Sequence, residues 1–131
     1  MSPDDRERFD AQVEIVLAAL PPQIHDILER VPMHVEDYPS EEVMINRRVR
    51  YRDDLCGLYT GVPLTERSIT HSGTLPDVIT IYREGILRAS ADRRGRIRND
   101  QLREQIRITI LHELGHHHGM TEDDLRELGY G

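Results

Sequence analysis

The stretch QLREQIRITILHELGHHH, residues 101–118, decides how this chain is read. It reads as one helix from Asp100, a suitable N-cap, to His118, with Gly119 placed to end it in a left-handed conformation. On such a helix His112 and His116 are four residues apart and share a face. Two imidazoles at that spacing can hold one tetrahedral Zn²⁺ at about 2.0–2.1 Å each. Glu113 follows about 100° round the axis. It stands beside a metal rather than on it, placed to take a proton from a bound water. This is the His-Glu-x-x-His arrangement of zinc hydrolases. Histidines also favour the negative pole of a helix C-terminus, but that accounts for neither Glu113 nor the two glycines.

A zinc site needs a third protein ligand. Gly119 lets the chain reverse, so that Glu122 and Asp123 return under the metal. Counting from His112 favours Glu122, while the reach of a carboxylate leaves Asp123 open. Both acids also suit the first turn of a last short helix capped by Thr121, with Asp124 three residues on. His117 and His118 point away from the His112/His116 face and read as surface or packing residues. Cys56 reads as a small buried hydrophobe rather than a thiolate ligand.

Outward from this helix, the chain is an expected single domain, 131 residues in all, with a formal charge of −7 and 37% hydrophobic residues. The negative balance argues against indiscriminate nucleic-acid binding. The acidic start MSPDDRERFD is no secretory signal. The longest apolar run, IVLAAL at 15–20, is far too short for a membrane span, and the single Cys56 excludes an internal disulfide. A soluble, intracellular, cytoplasmic protein without membrane contact is expected.

Residues 4–20 read as a helix with Phe9, Val13, Val16, Leu17 and Leu20 on one stripe. Pro21-Pro22 stops it, and Pro22 can open a second short helix to about Arg30. MHVEDY (33–38) alternates like a strand ended by Pro39. Residues 40–52 fit either helix or exposed loop. LCGLYTGVPLTERS (55–68) suggests a short strand entering an ordered loop. DVITIYRE (77–84) is the clearest strand, apolar on both faces and so covered on both sides. SADRRGRIRND (90–100) is polar and turn-like.

Two of these segments, taken together, resemble a known family, the short bacterial zincin-like metallopeptidases or mini-zincins. They are HELGHHHG (112–119) and GLYTGVPLTER (57–67), in that family's form and order. PDVITIYR (76–83) and the closing LGY (128–130) are similar as well. The resemblance implies an α+β fold, a minimal zincin-like one. Its small mixed β-sheet packs on N-terminal helices and a C-terminal active-site helix. It implies a single Zn²⁺, with His112 and His116 as ligands and Glu113 as general base. The extended family pattern places an acid, often Asp, where this chain has Glu122. Tyr130, the only aromatic residue after the motif, is expected to support the metal site. Met120 comes too early to be the methionine of a larger zincin's Met-turn.

The function expected from these readings is a zinc-dependent metallopeptidase. It would hydrolyse peptide bonds through a zinc-bound water activated by Glu113, with a peptide or protein as substrate. The strand at 78–83 is the expected edge for an extended substrate. A zincin this short lacks one wall of the cleft, and a homodimer is the expected remedy. Two alternatives come from other classes. A metal-dependent endoribonuclease uses zinc ligands at the same 1, 5, 11 spacing, but with His as the third and no Glu after the first. The arginines between 83 and 107 alternate with acids and read as a solvated face. A zincin-like module used only for binding is the other alternative. Oxyanion stabilisers could be Arg67, His71, Tyr82 or Tyr130, which spacing does not rank.

Overall fold

A computed structural model describes residues 1–61, 77–117 and 122–127. Ser2 caps the first helix, α1 (Pro3–Ala19), by accepting from the Asp5 N–H at 3.1 Å, and Asp4 and Asp5 lie at its positive pole. Phe9, Val13 and Val16 recur three to four residues apart and are buried. After Pro21 the chain forms α2 (Pro22–Arg30), then strand β1 (Met33–Glu36). The ambiguous 40–52 segment contains α3 (Glu41–Asn46), capped by the Ser40 hydroxyl on the Val43 N–H. Arg48 then leaves the helix with φ 55°. A 3-10 turn at Arg52–Asp54 leads into β2 (Gly57–Thr60).

β3 (Val78–Tyr82) is followed at once by a helix, α4 (Arg83–Ser90), which corrects the expectation of a strand through residue 84. The cause is tertiary. Ile86 is fully buried and Gly85 lies against the Leu55 backbone, where a Cβ would overlap the carbonyl. The long helix α5 (Asn99–His117) begins at Asn99, so Asp100 lies in its first turn instead of capping it. Among the described residues α6 (Glu122–Glu127) comes last. Gly119, Thr121, Met120, His118 and Tyr130 lie outside the described residues.

The fold is α+β, with a small mixed sheet in the order β1-β3-β2. β1 pairs parallel to β3 with Met33 opposite Ile79, and β2 pairs antiparallel with Gly57 opposite Ile81. β3 is therefore the central strand, with both hydrogen-bonding edges taken. This overturns its expected role as the edge for substrate. Its covering on both faces is as expected, since Ile79, Thr80, Ile81 and Tyr82 are all buried.

Strand alternation sends Ile79, Ile81 and Tyr59 to one face, where they meet Phe9 of α1 and a fully buried row on α5: Leu102, Ile106, Ile110, Leu111 and Leu114. Each such side chain contributes roughly 1.5–3 kcal/mol. This core fixes α5 across the sheet. Arg103 of α5 donates to the Gln12 side chain of α1 at 2.7 Å, which sets their mutual register.

At one end of the sheet four charges alternate. Arg6 donates to Asp37 at 2.7 Å, Arg83 donates to Asp37 at 2.9 Å, and Arg83 also bridges to Asp10 at 3.0 Å. The Arg6 hydrogen bond, aided by Arg83 and opposed by burial, holds the Asp37 carboxyl below the usual aspartate range. A depressed pKa stabilises the fold above the unfolded value and loses that contribution as pH falls through the folded one. Asp37→Asn should therefore lower stability by about 1 kcal/mol at pH 7. The gap to the parent should close as pH drops below the ordinary value of 3.8. Thermal melts of both proteins across pH 2–7 read this directly.

Candidate metal centre

The α5 helix runs without a break through His117, so residues 112 and 116 stand one turn apart, about 6 Å along the axis. His112 and Glu113 are half-buried, between the fully buried Leu111 and Leu114. The helix is thus anchored on both sides of its His-Glu pair. The side chains of His116 and Glu122 lie outside the described residues. Among the described residues no three His, Cys, Asp or Glu side chains converge as a metal-ligand group. Asp123 is described: its side chain is 88% exposed and pairs with Arg126 at 3.4 Å.

Beneath Glu113 lies β2. A Cβ built on Gly57 would come 3.3 Å from Glu113 Cγ and 2.7 Å from Thr109 Cγ2. Glycine at 57 is required by this close approach of strand to helix. Thr109 cannot yield readily, because it is buried and its hydroxyl donates to the Gln105 carbonyl at 2.8 Å. Gly57 and Thr109 therefore set the height of Glu113 above the sheet. The sequence reading did not single them out. The only signal was a glycine inside an otherwise apolar strand, which often marks close backbone approach.

Cys56 adjoins this floor and packs against the core. Burial pushes its thiol pKa up, the Glu113 carboxylate raises it further, and a hydrogen bond with Thr109 opposes them. Its partial burial against the core suits its reading as a small hydrophobe.

Tyr82 is not an oxyanion candidate. Alternation turns it to the sheet face opposite Ile81 and Gly57, and it is 2% exposed. Burial raises its pKa, with Glu36 adding to the rise and Arg47 opposing it. Arg67, His71 and Tyr130 lie outside the described residues. Several of the arginines after residue 82 are engaged within the fold, while Arg93, Arg94 and Arg96 lie exposed in the turn before α5. Arg83 pairs with Asp10 and Asp37, Arg88 with Asp53 and Asp54, Arg98 with Asp100, and Arg107 with Glu104.

The donor types on α5, two imidazoles one turn apart beside a half-buried carboxylate, fit a zinc ion. Among the described residues no helix is long and apolar enough to cross a membrane. A family model described as zincin-like metallopeptidase matches residues 28–131. No curated protein matches the chain in sequence.

Proposed function

The chain belongs to the zincin-like metallopeptidase family, and from that premise we propose that it is a zinc-dependent peptidase acting through Glu113. His112 and His116 are the proposed histidine ligands. Glu122 is the proposed third, supported by its count from His112 and by the outward, Arg126-paired position of its alternative, Asp123. The observation that carries the reading is the placement of Glu113. Its carboxylate rises from a buried helix over a strand with no side chain at Gly57. Zinc, when bound, supplies a Lewis acid that polarises a carbonyl and brings the pKa of a water toward about 7.

Glu113 takes one proton from the attacking water and returns it to the leaving amine as the C–N bond breaks. The missing side chain at Gly57 leaves room for the Glu113 side chain where strand and helix approach closely. Substrate pairing falls to β2. The Cys56 carbonyl accepts from the Tyr82 N–H at 2.8 Å, so Cys56, Leu58 and Thr60 turn their backbone groups toward β3. Gly57 and Tyr59 turn theirs outward, on the strand lying directly under Glu113. An extended peptide added there needs no particular sequence for its main-chain bonds.

Elemental analysis after zinc loading should give one equivalent per chain, and His112→Ala or His116→Ala should bind at least tenfold more weakly. Loaded parent protein should cleave casein. A parent that takes up no zinc would end this reading.

A further inference from the structure

The outer edge of β2 is bordered by a groove of about 270 Å³, with Val43, Asn46 and Arg47 on the α3 side and residues 58–61 on the other. In a chain of net charge −7, the only charged residue lining this groove among the described residues is a cation, Arg47. Its Nη2 donates to the outward carbonyl of Tyr59 at 3.5 Å. That is the long limit for such a bond, and an amide N–H at about 2.9 Å is the stronger donor. The Tyr59 carbonyl is also the acceptor that a strand added to β2 would use. Arg47 thus lies over this acceptor, and its long bond yields when a peptide N–H pairs there. The released guanidinium then stands beside the added strand without an ion-pair partner among the described residues. Among the described residues no carboxylate pairs with Arg47 or with the exposed Arg48 and Arg50 after it.

We propose that Arg47 is a specificity-determining residue, pairing with a carboxylate side chain of an extended acidic peptide bound along β2. The inference rests on reading the chain as a peptidase whose substrate adds to that edge. A guanidinium accepts a carboxylate bidentately and with direction, which a diffuse positive field does not. Neutral peptides still pair through their main chain but gain nothing from Arg47. Basic peptides meet repulsion.

The test uses the full chain carrying Glu113→Gln and supplied with zinc, so that no peptide is consumed. Fluorescence anisotropy reads its affinity for extended decapeptides in which one Glu is moved through every position, with matched Gln and Lys sets. At one position Glu should bind about fivefold more tightly than Gln, less so as salt rises. Adding Arg47→Gln should abolish that difference, and Arg47→Glu should transfer the preference to Lys, with thermal midpoints unchanged because Arg47 is exposed. Equal affinity for all three sets overturns the proposal, as does a Glu preference that survives Arg47→Gln or a failure of every peptide to bind. Because binding is read without turnover, the two proposals fail separately. An Arg47-dependent Glu preference in a protein that never cleaves casein would leave the groove standing and remove the peptidase.

Discussion

Glu113→Gln should lower peptide hydrolysis by about 10²–10⁴-fold while leaving zinc content and thermal stability at the parental level. The amide is nearly isosteric with the carboxylate, so the packing of Cγ over Gly57 is kept. What it loses is the ability to hold a proton between its removal from water and its delivery to the amine. Metal affinity should persist because Glu113 lies beside the proposed ligands and contributes no bond to the ion. Zinc stoichiometry, a thermal melt and a casein or peptide assay on parent and variant decide the matter together. A variant within tenfold of the parent would remove Glu113 from the chemistry, and lost zinc would make it a ligand instead. Glu113→Asp should also be impaired, because shortening the side chain by one methylene draws the carboxylate back toward the helix.

Gly57→Ala should destabilise the protein by about 1–3 kcal/mol and depress hydrolysis beyond what partial unfolding explains. In an open strand the same change would be favourable by roughly 0.5–1 kcal/mol, because alanine loses less backbone entropy on folding. Here the added methyl meets Thr109 Cγ2 at 2.7 Å, a separation that real side chains do not keep, and Glu113 Cγ at 3.3 Å. Thr109 is held by its hydroxyl bond to Gln105, so the relief must come from α5 rising or Glu113 turning. Either moves the carboxylate off its height. Adding Thr109→Ser removes the offending methyl and keeps the hydroxyl, so Gly57→Ala/Thr109→Ser should recover most of the lost stability and part of the activity. Chemical denaturation of the parent, the two single variants and the double variant measures the coupling. Additive effects would mean that strand and helix do not press on each other at this point.

The local features were legible because their causes are local. Ser2 and Pro3 at the head of α1 and Pro22 at the head of α2 act within a turn or two of themselves. The four-residue spacing of His112 and His116 shares a face on any α-helix, whatever packs around it. The β-branched run at 78–82 favours an extended chain, and its apolar residues on both sides announced a covered strand. Two boundaries were misread for want of such signals. Nothing near Arg83 breaks a strand locally, and the helix there depends on Ile86 finding the core and Gly85 finding Leu55. Asp100 is as good a cap by composition as the residues before it, so the start of α5, expected at residue 101, was placed two residues late.

From the order of residues alone came the α+β class, the family likeness and the helix carrying a histidine pair with its glutamate, since each is written in spacing along one segment. The tertiary structure settled which of the described strands is central. It set Gly57 and Thr109 beneath a glutamate more than fifty positions later in the chain, and brought Arg47 to the Tyr59 carbonyl. The physical reason is that strand pairing and side-chain contact join residues through space. Spacing along one segment carries no record of which distant segment the core will bring against it.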